Sequence, residues 1–281
     1  MELNNNQVIL ELLNIAIDSG KEIMKIYDKG FTVDTKEDSS PITEADINSN
    51  ELIVTRLKIL EPNIPILSEE SLVSWGIRKK WKKYWLIDPL DGTKEFINRN
   101  GEFTINISLI ENNNPVFGII YSPVKSVLYY AYKNYGSFKV YTNRNLSSLN
   151  NLEKINVVKK SYSITRIIGS RSHSNTEFNE WVKSKFTNFE LIKIGSSLKF
   201  CHLAEGTADI YPRFGPTSEW DIAAADAVLK SYGGSIFSLE NFEKLKYSKK
   251  NILNPPFIAY RNELIRKAYS QKVEDYVKKL L

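Results

Sequence analysis

The spacing of apolar residues changes character along the chain, and each change marks an element. In residues 7–27, Ile9, Leu12, Leu13, Ala16, Ile17, Ile23 and Met24 recur at helical spacing and predict an amphipathic helix. Residues 35–40 are polar and read as a loop. A second helix is expected from Pro41 to about Leu60, with Thr43 and Asp46 at capping-box spacing, a role that by itself accounts for Asp46. Residues 64–67 read as a short strand leading into Glu69. Residues 84–87 are apolar and aromatic-rich, the pattern of a buried strand, and Pro89 is expected to stop it. Segments 103–111, 116–121, 126–133 and 136–140 then predict an antiparallel meander.

After a polar stretch at 143–153 the rhythm changes. Strand-like 166–169, 189–194 and 208–211 alternate with helix-like 176–186 and 197–205, as α/β units do. Trp220-Asp221 opens a further helix closed by Gly233-Gly234, and a strand at 257–260 and a last helix follow. The polar stretch is the expected boundary between an N-terminal unit, 1–150, and a C-terminal unit, 151–281.

Composition changes the picture mainly by exclusion. The 281 residues, 42% hydrophobic and 25% charged, are those of an ordinary globular protein with a sizeable core. The net charge of +5 is dispersed apart from a lysine-rich run at 78–83, which favours small anionic substrates over nucleic acid. One cysteine, Cys201, excludes an internal disulfide framework; it sits in a helical pattern as a core residue and fits a reducing compartment. Only His173 and His202 are present, so a histidine-rich zinc site is nearly excluded, and no G-x-S-x-G elbow supports a serine hydrolase. The N-terminus lacks an apolar signal region and no run is long enough to span a membrane. A cytoplasmic protein is expected, with peripheral membrane association left open.

What remains is acidic oxygen chemistry. Asp88-Pro89-Leu90-Asp91-Gly92-Thr93 follows the predicted buried strand, and two carboxylates beside a Gly-Thr turn suit a hard cation shared with a phosphate. A strand-ending Asp-Pro/Asp-Gly turn needs no metal, so the pair alone leaves both readings open. Glu69, Asp46 and Asp221 also fall at strand ends or helix starts, where carboxylates of an α/β sheet could share one crevice. Two or three divalent metals held there could clamp a phosphate and activate water.

These motifs, together with Ser40-Pro41-Ile42-Thr43-Glu44-Ala45-Asp46, Glu69-Glu70 and Trp220-Asp221-Ile222-Ala223-Ala224-Ala225, resemble the inositol monophosphatase superfamily. Thr93-Lys94-Glu95-Phe96, Ser170-Arg171-Ser172-His173, Gly195-Ser196-Ser197-Leu198-Lys199-Phe200 and the run from Tyr211 to Asp221 are most similar to its bacterial 3'(2'),5'-bisphosphate nucleotidase branch, the CysQ type. Ser218 and Ala224-Ala225-Asp226 depart slightly from the commonest pattern without touching an expected ligand. The resemblance implies a layered α/β (α+β) sandwich of alternating helices and sheets, and magnesium-dependent removal of the 3'-phosphate from adenosine 3',5'-bisphosphate. It implies two or three Mg2+ ions, with Mn2+ as a substitute, held by Glu69, Asp88, the Leu90 carbonyl, Asp91 and Asp221, most of them in the N-terminal unit. Asp46 and Thr93 would deprotonate the water with Glu69 beside them, helped by the loop 36–40, and the Gly92 and Thr93 N–H groups would take the phosphate. Arg171, Ser196, Lys199 and Arg213 would hold the second phosphate, His173 the base, and Glu219 a substrate hydroxyl. Each of these has a plain alternative: a solvated surface cation, or a histidine capping the helix near Thr176. Inositol monophosphate or a sugar bisphosphate could use the same metals, and a non-catalytic nucleotide- or metal-binding protein is the alternative of another kind. Oligomeric state is left open.

Overall fold

Helices alternate with two sheets in five layers, and the order follows from which faces of each element are apolar. The computed structural model describes residues 6–36, 41–150, 152–156, 164–171 and 176–280. The first part contains α1 (Asn6–Lys29), β1 (Asp34–Thr35), β2 (Pro41–Ile42), α2 (Glu44–Leu60), β3 (Ile66–Ser68), α3 (Trp75–Arg78), β4 (Lys83–Asp91) and α4 (Thr93–Ile97). The meander β5 (Thr104–Glu111), β6 (Asn114–Ser122), β7 (Val127–Tyr132) and β8 (Gly136–Tyr141) runs as expected. β9 (Glu153–Lys154) then adds a seventh strand, in the order β3-β4-β5-β6-β7-β8-β9, where only the β3–β4 pair is parallel.

The remainder contains β10 (Thr165–Ser170), α5 (Thr176–Lys185), β11 (Phe189–Ile194), α6 (Leu198–Ala204), β12 (Ile210–Arg213), α7 (Glu219–Tyr232), β13 (Ser235–Ser238), β14 (Phe257–Tyr260) and α8 (Glu263–Leu280). The α/β rhythm gives parallel β11-β10-β12, extended by antiparallel β14 and β13. The strand at β13 is missing from the sequence reading, because it follows immediately on the Gly233 turn that closes α7 and is only four residues long.

Leu12, Ala16 and Ile17 of α1 and Ile53 and Leu57 of α2 pack on one face of the large sheet against Trp85, Ile107 and Phe117. On the other face, Ile120 and Tyr129 meet α6 and α7, which also pack Tyr211, Phe257 and Ala259 of the second sheet. Phe178 and Trp181 of α5 and Val273 of α8 cover the far face of that second sheet through Ile167 and Ile258. The layers are thus helix, sheet, helix, sheet, helix, and the layered sandwich expected from the sequence is present. α7 in the middle layer carries Asp221 and lies close to the large sheet because Gly118 of β6 has no side chain. A Cβ there would come 2.3 Å from the Ala224 carbonyl oxygen.

β4 differs from its prediction in a way that matters for the site. Trp85 and Ile87 face α1 and α2, whereas Tyr84 and Leu86 pack with Trp220 and Ala223 of α7. Both faces are buried, so the strand reads as an unbroken apolar run. Pro89 does not stop it. The strand continues to Asp91 through a bulge, where Asp88 lies opposite Asn106 and Asp91 opposite Thr104. One extra residue on β4 shifts the alternation by one, so Asp91 joins Asp88 on the face that looks towards α7. Proline is tolerated there because the bulge leaves its missing N–H unneeded. Ser49 of α2 donates to the Pro89 carbonyl at 2.7 Å and holds the bulge.

The lysine-rich run at 78–83 is only partly a basic surface: Lys79, Lys80 and Lys82 are exposed, but its two ends are engaged. Arg78 is buried and donates to the Lys249 and Lys250 carbonyls at 2.6 and 2.7 Å, and Lys83 pairs with Glu111 at 3.3 Å. Cys201 is buried, and burial pushes its thiol well up, as expected for a core cysteine. Among the described residues, no helix is long and apolar enough to cross a membrane.

Candidate active site

Three backbone devices bring the acidic residues together. Glu69 leaves the end of β3, its N–H donating to the Ile87 carbonyl at 3.1 Å. Asp88 stands at the bulge of β4, and Asp221 is in the first turn of α7, accepting from the Ser218 N–H at 2.8 Å. One carboxylate oxygen from each of Glu69, Asp88 and Asp221 lies within 4.8 Å of the others. Asp91 stands beside them and accepts from the Ser197 N–H at 2.6 Å, with the Ser197 hydroxyl at 2.8 Å. That hydroxyl also lies 2.9 Å from the Asp221 carbonyl and accepts from Asn106 at 2.8 Å. Ser197 and Asn106 thereby tie the two sheets together at the site. Neither residue stands out in the sequence, where the only local signal is the Gly-Ser-Ser step before α6.

The electrostatics are those of a site that wants a cation. Burial pushes the carboxyls of Asp88 and Asp221 well above their ordinary range, and their acidic neighbours push the same way. Glu69 and Asp91 are also raised, burial first, although Lys36 opposes this at Glu69 and Lys199 at Asp91. Lys36 lies 2.8 Å from Glu69 and 2.5 Å from Glu70, and its own pKa is raised by them against the effect of burial. The remainder of the expected loop, 37–40, lies outside the described residues. The donor set is all oxygen and mostly anionic, which fits magnesium or manganese and not a soft metal.

Asp46 does two things at once. Its Oδ2 accepts from the Thr43 N–H and hydroxyl at 2.8 and 2.7 Å, completing the predicted capping box of α2. Its Oδ1 accepts from the Thr93 hydroxyl at 3.1 Å. Burial raises the Asp46 carboxyl above its usual range in spite of the Thr43 bonds, which makes it a better proton acceptor. Thr93 opens α4 directly after Gly92, whose φ of 95° only glycine adopts without strain. A Cβ on Gly92 would also come within 3.3 Å of the Glu102 carbonyl and of Ser196.

Glu69, Asp88, Asp91, Gly92, Thr93 and Asp221 open into one cavity of about 560 Å³, which Ser170, Ser196, Lys199, Tyr211 and Arg213 also line, with Asp46 buried behind Thr93. Lys199 is buried, and burial together with the Arg213 charge brings its ammonium down to about 8, although Asp91 pulls the other way. Arg213 is turned by its own loop, donating to the Gly215 and Pro216 carbonyls at 3.2 and 3.1 Å.

Two expected substrate contacts, Glu219 and Arg171, fall elsewhere. Glu219 does not reach the cavity: it is fully buried and accepts from the Ser248 and Lys249 N–H groups at 3.0 Å each and from the Lys249 ammonium at 2.7 Å. Its carboxylate organises the 248–249 turn. Arg171 does not line the cavity either and is paired with Glu102. His173 lies outside the described residues. Trp220 is buried with Tyr84 and Leu86, as its core reading required.

The model of the inositol monophosphatase family matches residues 4–276. The chain is 41% identical over 254 residues to the 3'(2'),5'-bisphosphate nucleotidase CysQ of Salmonella typhimurium, a match covering 88% of this chain and 97% of that protein. The CysQ of Haemophilus influenzae is 37% identical over 257 residues, 90% of this chain and 93% of its own. The crystal structure of CysQ from Bacteroides thetaiotaomicron has a TM-score of 0.82 and 38% identity, over 93% of this chain and 100% of that one. An IMPase from Thermotoga maritima, at 23% identity and a TM-score of 0.75, shares the fold. Matched over nearly its whole length in both sequence and fold, this chain belongs to the inositol monophosphatase family.

Proposed function

We propose that this protein is a magnesium-dependent phosphomonoesterase that converts adenosine 3',5'-bisphosphate to AMP and phosphate. The observation that carries the reading is a single cavity lined by both the Glu69–Asp88–Asp221 cluster and the cations Lys199 and Arg213. The first suits a phosphate to be cleaved, the second a phosphate to be held. The nucleotidase relatives, similar over nearly the whole chain, support the choice of substrate.

In this reading Glu69, Asp88, Asp91, the Leu90 carbonyl and Asp221 would hold two or three magnesium ions. Bound magnesium supplies charge neutralisation at the phosphate and lowers the pKa of a water. The Thr93 hydroxyl, which donates to Asp46, would orient the attacking water, giving its own proton to the Asp46 carboxylate as it takes one from the water. The N–H groups of Gly92 and Thr93, at the start of α4, meet the phosphate oxygens. Lys199, Arg213 and Ser196 take the 5'-phosphate. The substrate thus lies between the two units, 1–150 and 151–281, and a small soluble nucleotide together with a lone buried cysteine suits the cytoplasm.

The test is phosphate release from adenosine 3',5'-bisphosphate and from inositol 1-phosphate, each with and without magnesium. Magnesium-dependent preference for the nucleotide is expected. Preference for inositol phosphate would keep the metal chemistry and reject the substrate, and turnover of neither would favour a binding protein.

The state of Lys199 gives a pH prediction. Its ammonium, about 8 in the free protein, is charged below that pH and neutral above it, so the hold on the 5'-phosphate weakens as pH rises through that point. Bound magnesium would offset the Asp91 charge that holds the Lys199 ammonium up, so kcat/KM for the bisphosphate, which reports the free enzyme, should fall as pH rises towards and through about 8, and Lys199→Arg should shift the fall upward. An unchanged profile in Lys199→Arg would remove Lys199 from the substrate contacts.

A further inference from the structure

Glu102 is a buried carboxylate that the reaction does not use, and its backbone abuts Gly92, which lines the cavity. Its Oε2 accepts from the Gly195 N–H at 2.7 Å and from Arg171 Nε at 2.7 Å, while Oε1 accepts from Arg171 Nη2 at 2.8 Å. The same Nη2 donates to the Lys193 carbonyl at 2.8 Å. Arg171 thus grips Glu102 with two parallel bonds, the geometry that makes such a pair strong and directional. The pair joins the loop before β5 to the ends of β10 and β11, and so joins the two sheets.

What it holds is the segment that carries Lys199, one of the cavity's cations. Gly195 has no room for a side chain, since a Cβ would come 2.6 Å from Glu95 Cγ and 2.9 Å from the Glu102 carbonyl oxygen. The next residue, Ser196, is held at a φ of 46°, a left-handed conformation that a serine keeps only when its surroundings impose it. Lys199 follows one turn later, its N–H donating to the Ser196 carbonyl at 3.4 Å. On the other side, the Glu102 backbone abuts Gly92, the turn before Thr93. Glu102 therefore sits between the Gly92–Thr93 turn and the Ser196–Lys199 segment.

We infer that Arg171 and Glu102 are positioning residues that fix the spacing between the phosphate-cleaving turn at Gly92–Thr93 and the anion-holding segment Ser196–Lys199, and so set the preference for a substrate with two phosphates. The inference rests on the functional reading above. Glu69, Asp46 and Thr93 are anchored by β3, α2 and α4, and Asn106 of β5 holds both Asp91, at 3.4 Å, and the Ser197 hydroxyl that bonds it, at 2.8 Å, so loosening the clasp leaves the reacting end in place. Arg171, its side chain 43% exposed, acts through Glu102 and needs no contact with substrate.

The test compares wild type with Arg171→Gln, Arg171→Lys and Glu102→Gln on adenosine 3',5'-bisphosphate and on 3'-AMP, which lacks the distal phosphate. Arg171→Gln and Glu102→Gln should raise KM for the bisphosphate by about tenfold, with KM for 3'-AMP and both kcat values changing by less than about threefold. Arg171→Lys should recover part of the loss. Thermal melts identify any variant that is merely unfolded, and the exposed Arg171 provides the variant least prone to that. Wild-type preference with unchanged variants, or equal KM increases on both substrates, overturns the inference alone. A wild type indifferent to the bisphosphate overturns the functional reading and this inference with it.

Discussion

Asp91→Asn lowers kcat/KM at saturating magnesium by at least ~10³-fold while leaving the fold intact. The amide can still accept from the Ser197 N–H and hydroxyl, so the link between the two sheets survives. What disappears is one negative charge from a crowded group of buried carboxylates. Burial and the neighbouring acids disfavour ionisation at Asp88 and Asp221, and Asp91 is among those neighbours at both. Removing its charge relieves the metal-free protein, so the melting temperature without magnesium should stay level or rise. Magnesium, by contrast, should raise the melting temperature of wild type clearly more than that of the variant, because binding to the native state stabilises it. Loss of activity with a retained melt and a lost magnesium response is the expected combination. A fully active variant would sink the proposed mechanism.

Thr93→Val is expected to cut kcat by ~10²- to 10⁴-fold with little change in KM, the range for loss of a proton-transfer group. Valine keeps the shape of threonine and the N–H that faces the phosphate but removes the hydroxyl 3.1 Å from Asp46. Asp46→Asn should show a similar loss, but it is the less clean variant. The Asp46 carboxylate also accepts the Thr43 N–H and hydroxyl that cap α2, and weakening a cap costs about 1 kcal/mol of stability. Because the two groups act as one relay, the double variant should be scarcely slower than either single one. Rates measured at saturating substrate and magnesium decide this: a Thr93→Val enzyme within twofold of wild type means the hydroxyl does not handle the proton.

Most of the fold was legible because it is written in short-range periodicity. The meander of β5 to β7 is written as short apolar runs separated by turn residues, because both faces of the large sheet are buried, and the helices around β10 and β11 as spacings of three to four residues. The misses were local features that break periodicity. Pro89 looked like the end of a strand because proline usually is; here a bulge absorbs it. β13 was hidden because it is short and adjoins a glycine turn.

The site divides the same way. The acidic residues could be named in advance because their chemistry resides in the side chain, and Asp46 could be read as a cap because capping spans only three residues. Their meeting could not be read. Asp91 shares a face with Asp88 only because one extra residue in β4 reverses the pleat, and Asp221 reaches them only because Gly118 lets α7 lie close to the large sheet. The partners of the charged side chains were equally out of reach. Glu219 and Arg171 sit in motifs that suggested substrate contacts, yet one anchors the 248–249 turn and the other grips Glu102. By itself the sequence determined the elements, the oxygen-rich chemistry and the family; the tertiary structure alone decided which charges face the cavity. An ion pair or a shared metal site depends on distances across the chain of a few ångströms, and those are set by how layers pack, not by the residues that neighbour one another in sequence.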